Sequence, residues 1–125
     1  MSEAAERALE RNLARSEDEL AAELGLVVGI EEGLGAFATR AELIAAAEAW
    51  LARQQSRLAG ALCPHPTVRA FARPGASTDR ELFIALFDVV ATLQFGVKAP
   101  VGTLSALLMR KGLTRLCGPG WPPAA

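Results

Sequence analysis

The sequence predicts an all-α protein, an antiparallel bundle of four to five helices, and three observations lead to this fold class. Apolar residues make up 51% of the chain, enough to build a core. Alanine and leucine dominate and tyrosine is absent, a composition that favours helix over strand. A Ser or Thr followed three residues later by Glu, the capping box that begins many helices, recurs along the chain. It occurs at Ser16/Glu19, Thr39/Glu42 and Thr78/Glu81.

The length of 125 residues is that of one domain. We expect one helical domain over residues 1–117. A Pro/Gly-rich tail over residues 118–125 should stay loose unless Trp121 docks on the bundle.

The first helix is ambiguous. Four leucines share one helical face across residues 3–24, which favours one long helix with Ser16 facing inward. Two helices broken at Ser16 are the alternative. The glycine-rich segment that follows, residues 24–37, discourages a regular helix and predicts a short extended piece or a frayed turn.

The second predicted helix covers residues 41–62 and is a half-buried surface helix, with apolar residues on one stripe and Arg53 and Arg57 away from it. Three prolines then leave room for one or two helical turns over Thr67–Ala72.

The third predicted helix, residues 79–95, is apolar nearly all round, so we expect it in the middle of the bundle. The apolar run over residues 82–97 is shorter than the roughly 20 residues that span a bilayer. A fourth helix should begin near Pro100, carry Arg110 and Lys111 in its last turn and stop at Gly112.

The charge balance is uneven along the chain. Thirteen basic and fourteen acidic residues give a net charge of −1, which argues against a general nucleic-acid or membrane binder. Residues 1–38 alone carry nine acidic and three basic groups, whereas residues 39–125 carry five acidic and ten basic groups. Two explanations fit this pattern. The charged faces are simply exposed to solvent, or an acidic face of one molecule docks on a basic face of another.

The cysteines predict reduced thiols and a cytoplasmic protein, because two are too few for a disulfide scaffold and the first residues are acidic. Cys63 and His65 are read as a rigid turn with a buried thiol; a metal site or a Cys–His nucleophile lacks the further ligands or groups it needs. Asp88 is read as structural, with a functional acid as the alternative. We therefore expect no catalytic residue, cofactor or metal, and a small enzyme or ligand-binding bundle would need a deep pocket near these side chains.

Residues 100–116 resemble superficially the second half of a helix-turn-helix, which makes a small DNA-binding regulator the alternative function. The face of this segment is dominated by Val101, Leu104, Leu107 and Leu108, whereas a recognition helix needs polar side chains there.

Two stretches, WLARQQSRLAGALCPHPTVRAF at residues 50–71 and ELFIALFDVVATLQFGVKAPVGTLSALLMRKGLTRLC at residues 81–117, are similar to small helical adaptor modules of bacterial conflict and anti-phage systems, the effector-associated and death-fold-like domains. The resemblance implies a non-enzymatic adaptor that recruits an effector or sensor through helix–helix contacts, with a protein partner or a second copy of itself.

The candidate partner-binding residues follow from the charge pattern. Basic side chains of the later helices would meet acidic side chains of a neighbour, and Trp121 would supply an apolar anchor. The basic residues are Arg53, Arg57, Arg110, Lys111 and Arg115, and the acidic residues are Glu17, Asp18, Glu31 and Glu32.

Overall fold

A computed structural model describes residues 3–35, 37–93, 95 and 100–122, and in these residues the chain is all-α, as predicted. Seven helices form there, more than the four to five expected, because the first splits in two and a short helix is added near the end. They are α1 (Glu3–Asn12), α2 (Glu17–Val28), α3 (Arg40–Leu62), α4 (Pro66–Ala72), α5 (Asp79–Thr92), α6 (Val101–Lys111) and α7 (Leu113–Cys117).

The first predicted helix is two helices, so the preference for a single one was wrong. Ser16 accepts a hydrogen bond from the Glu19 amide at 3.1 Å, and the Ser16 amide donates to the Glu19 carboxylate at 3.2 Å. This capping box begins α2 and leaves α1 to end at Asn12, whose buried side-chain amide donates to the Ala8 carbonyl. The leucine stripe misled because both helices pack against α6 and bury their leucines there.

The glycine-rich segment is helical further than expected, since α2 runs through Gly25 to Val28. A turn after it stops the helix: the Leu34 amide donates to the Gly29 carbonyl and the Gly33 amide to the Ile30 carbonyl. This pair of bonds is a Schellman motif, which requires a left-handed residue at Gly33, where φ is 80°.

The boundaries of α3, α4 and α6 agree closely with prediction. Helix α3 buries the expected stripe, including Trp50, Leu58 and Leu62. Helix α6 stops at Gly112, whose φ of 90° suits glycine.

The centre of the fold is α6 rather than α5. Every residue from Gly102 to Leu108 is buried, and α6 packs against α1, α2, α5 and α7. Gly102 permits the close approach of α1, because a Cβ there would lie 2.7 Å from the Ala8 Cβ. Helix α5 ends at Thr92 and has a buried face and an exposed face, and the exposed face carries Asp88. Residue 94 of the predicted helix and residues 96–97 of the predicted apolar run lie outside the described residues.

The expectation of reduced thiols is wrong in this structure, because Cys63 and Cys117 form a disulfide. The bond joins the end of α3 to the end of α7, a pairing across 54 residues that spacing alone does not reveal. Trp121 docks next to it and donates its indole N–H to the Cys63 carbonyl at 2.8 Å. Residues 123–125 of the predicted tail lie outside the described residues.

Within the described part of the chain, no helix is both long enough and apolar enough to cross a membrane.

Candidate interaction surface

Several charges expected to bind a neighbour instead pair within the chain. Arg53 on α3 forms ion pairs with Glu32 and, at 3.9 Å, with Glu31. These three residues were assigned to opposite sides of an interface between molecules. In the structure they fasten the segment after α2 to the outer face of α3.

Lys111 makes a second internal cluster. Its ammonium lies 2.6 Å from a Glu48 oxygen and 3.2 Å from a Glu17 oxygen, so it joins α6 to α3 and α2. Partial burial favours the neutral amine, but the hydrogen bonds and charges of Glu48 and Glu17 outweigh it and raise the pKa of Lys111.

Three more predicted residues also contact their own chain. Arg110 donates to the Leu13 carbonyl, Arg57 lies 4.8 Å from the centre of the Phe95 ring, and Trp121 is bound at Cys63. Arg115 and Asp18 are exposed and form no ion pair with another described residue. Arg53, Arg57 and Glu31 are exposed as well, although each contacts its own chain.

The segment that resembles part of a helix-turn-helix, residues 100–116, contains the buried helix α6 and most of the short helix α7. Because Gly102 through Leu108 are covered by neighbouring helices, no base-reading face is presented by this part of α6. This part of α6 therefore packs in the core, and the exposed Arg110 donates a hydrogen bond to a backbone carbonyl of the segment after α1.

The pair Asp88 and His65 lies at one surface groove of about 230 Å³, together with Thr67 and Thr92. The His65 Nδ1 atom is buried and has no hydrogen-bond partner among the described residues. Cys63 is oxidised and so is no nucleophile in this state, and the described residues contain no group of three or more His, Cys, Asp or Glu side chains that could hold a metal. The groove brings one histidine and one aspartate together as its titratable side chains.

Sequence reasoning missed an apolar surface at the end of α2. Leu26 is 68% exposed, Ile30 83% and Phe37 98%, the exposed large apolar side chains among the described residues. Leu26 and Ile30 line a groove of about 380 Å³, and Phe37 immediately precedes its lining residue Ala38 in the chain. The groove is lined by Gly25, Leu26, Gly29, Ile30, Leu34, Gly35, Ala38 and Leu43. We call Leu26, Ile30, Phe37 and this groove the α2–α3 surface.

Glycines and the Schellman turn shape this surface. Gly25 lets α2 approach α3 so closely that a Cβ would lie 2.1 Å from the Leu43 carbonyl oxygen. The turn at Gly33 then folds Leu34 back onto Gly29. Spacing gave a signal for the exposed side chains: Leu26 and Ile30 are four residues apart, on the opposite face from the buried Leu20, Leu24 and Val28.

Carboxylates lie next to the α2–α3 surface, and the basic groups near them are Arg53, paired with Glu31 and Glu32, and Arg15 and Arg40 near Glu19. Glu19 lies on the same face of α2 as Leu26 and Ile30, and Glu31 follows Ile30 directly. Two hydrogen bonds from Ser16 lower the pKa of Glu19, with smaller contributions from Arg15 and Arg40, so it is ionised at neutral pH. The surface thus combines large apolar side chains with carboxylates.

Comparisons of the chain with protein-family models, curated proteins and solved structures find no match.

Proposed function

We propose that the chain is a non-enzymatic protein-interaction module whose α2–α3 surface binds a basic amphipathic helix of a protein partner. The exposure of Leu26 and Ile30, which lie four residues apart and line the same groove, carries the proposal, and the exposed Phe37 immediately precedes Ala38, another lining residue. Large apolar side chains grouped at one place on a surface mark interaction sites, because water covers them at a cost in free energy that a partner removes.

The groove favours a helical ligand. Two glycines four residues apart, Gly25 and Gly29, line it together with Leu26, Ile30 and Leu34. An apolar groove between two helices can accept the apolar face of an amphipathic helix, whose anchor residues recur at the same three- and four-residue spacing.

Charge favours a basic ligand over a second copy. Two copies facing each other through this surface would bring the acidic residues 1–38 of one onto the same residues of the other, and like charges oppose such pairing. Lysines or arginines on the polar edge of a partner helix would instead meet Glu19 and Glu31.

The proposed binding would serve an adaptor that recruits another protein. The resemblance of residues 50–71 and 81–117 to effector-associated and death-fold-like modules supports recruitment of an effector or sensor in a bacterial signalling or defence complex. We also propose a cytoplasmic location because two cysteines are too few for a disulfide scaffold; the Cys63–Cys117 bond is the observation that opposes this location, since a reducing compartment disfavours disulfides.

A synthetic leucine–lysine amphipathic helix labelled with a fluorophore is the probe for this surface. We expect its anisotropy to rise on addition of the protein, and the Leu26→Gln/Ile30→Gln double variant to bind it at least about tenfold more weakly. Ala91→Gln, at an exposed position of α5, is the matched control and should bind as the wild type does.

Two results would contradict the proposal. Equal affinity for the same peptide with glutamate in place of lysine would remove the argument from charge. A mass in light scattering that doubles with concentration, and returns to the monomer value in the Leu26→Gln/Ile30→Gln variant, would show that a second copy occupies the surface.

A further inference from the structure

The Cys63–Cys117 disulfide is partly exposed, and it attaches the short helix α7 to α3. Both cysteines are half-buried, so a thiolate in solution can approach the bond. Cys63 follows the last residue of α3, and Cys117 is the last residue of α7. The bond therefore fastens α7 to α3 at one point.

Helix α7 has few other attachments. It contains five residues, far fewer than an independently stable helix needs. Gly112 and Gly118, both with positive φ, bound it on either side. Leu113 is its buried residue, and beyond it the Trp121 indole N–H is bound to the Cys63 carbonyl. We refer to residues 113–122 as the C-terminal segment.

The C-terminal segment forms one wall of a groove of about 240 Å³ against α3 and α6. Leu51 and Leu58 from α3 and Leu108 from α6 line it, while Arg115 and Leu116 from α7 close its other side. Displacement of α7 would open this groove and uncover those leucines.

Most of the core lies away from α7. The largest fully buried side chains, among them Trp50, Phe83 and Leu107, belong to α2–α6. Helix α6 is covered by α1, α2 and α5 on its other sides. Apart from Leu51, Leu58 and Leu108, the core can therefore stay packed when α7 leaves.

We propose that Cys63–Cys117 is a redox-reactive modification site: its reduction by a dithiol releases the C-terminal segment and opens the α3–α6–α7 groove while the other helices remain folded. The proposal is independent of ligand binding at the α2–α3 surface. In a reducing compartment such a bond forms and breaks as conditions change, which makes it a sensor rather than a permanent staple.

The chemistry balances with the dithiol as the electron donor. A thiolate of the reductant attacks one sulfur, forms a mixed disulfide and expels the other cysteine as a thiolate. The second thiol of the reductant then closes an internal disulfide and expels the first cysteine. Two electrons have passed to the chain, the reductant is oxidised to a disulfide, and two protons complete the Cys63 and Cys117 thiols.

Hydrogen exchange on the full chain, with and without dithiothreitol, tests the proposal. We expect amides of residues 113–117 to exchange at least about tenfold faster after reduction, with little change in α5 and α6. Trypsin cleavage after Arg115 should accelerate in parallel, while the far-UV circular dichroism of the chain is nearly unchanged.

The Cys63→Ser/Cys117→Ser variant is the matched control and should exchange like the reduced wild type with or without dithiothreitol. A large loss of helical signal when the wild type is reduced would overturn the proposal, since the bond would then hold the whole fold. Unchanged protection of residues 113–117 in the reduced wild type would overturn it as well. Because this measurement uses the wild type, it does not depend on whether the variant folds.

Discussion

Gly25 and Gly60 are both helical glycines, and the same substitution at each should have opposite effects. A Cβ at Gly25 would lie 2.1 Å from the Leu43 carbonyl oxygen, so Gly25→Ala must push α2 away from α3. We expect a loss of about 1–3 kcal/mol in the free energy of unfolding. At Gly60 a Cβ meets nothing within 4 Å, so Gly60→Ala should be neutral or stabilise α3 by up to about 1 kcal/mol. Urea unfolding measures both, and equal effects would disprove the close approach.

Two hydroxyls of α6 form a second contrast. The buried Thr103 hydroxyl donates to a Glu23 carboxylate oxygen at 2.9 Å, whereas the buried Ser105 hydroxyl has no partner among the described residues. Thr103→Val should lower the free energy of unfolding by about 1 kcal/mol through loss of that bond. Ser105→Ala removes an unsatisfied group and should leave stability unchanged or raise it. A greater loss for Ser105→Ala than for Thr103→Val in urea unfolding would contradict this assignment.

At the scale of the element, the capping boxes of α2 and α3 predict an acid response. Hydrogen bonds from the backbone and side chains of Ser16 and Thr39 lower the pKa values of Glu19 and Glu42. Their contribution to stability is full above the ordinary glutamate pKa and is lost as the pH falls below about 4 through the lowered values. Glu19→Gln should flatten this part of the acid titration followed by circular dichroism. Glu10→Gln, on the exposed face of α1, should follow the wild type.

The helices were predictable where the signal was local. Capping boxes located the starts of α2, α3 and α5 within one residue, and Gly112 marked the end of α6. At Ser16 the capping box was the correct signal. The leucines that share one face of residues 3–24 favoured a single helix, but such a pattern cannot distinguish one helix from two helices that pack on the same neighbour. The extension of α2 through Gly25 depended on the backbone of Leu43, a contact that forms only when α3 packs against α2.

The site residues were less predictable because their partners are distant in sequence. The sequence shows that acidic and basic groups are segregated, but not that Lys111 reaches Glu17 and Glu48. The Cys63–Cys117 bond was missed for the same reason. Only Leu26 and Ile30 carried a local signal, their spacing on the face opposite the buried leucines.

At the scale of the whole molecule, Lys111 joins three helices and should matter more than an exposed pair. Lys111→Met leaves Glu17 and Glu48 without their cation, and we expect a loss of about 1 kcal/mol in the free energy of unfolding. Added salt should reduce the loss by screening the two carboxylates. Arg7→Met, whose pair with Glu3 is largely exposed, should have almost no effect.

The raised pKa of Lys111 fixes the sign of its pH dependence. Its contribution is complete at neutral pH and is lost only when the pH rises through that raised value, above the ordinary lysine pKa of about 10.4. The difference in free energy of unfolding between the wild type and Lys111→Met, measured by urea unfolding, should therefore be the same at pH 6 and at pH 8. Both pH values lie at least about two units below the pKa of Lys111. A difference that disappears within this range would assign the effect to another group.

The burial of α6 has a consequence for synthesis on the ribosome. Helix α6 follows α1, α2 and α5 in the chain, so these helices emerge before the surface that covers part of their apolar faces. Until residues 101–111 are released, those parts lack α6, although α2 can already pack against α3 and α1 against α5. The native packing around α6 therefore forms only after the helices that precede it have left the exit tunnel.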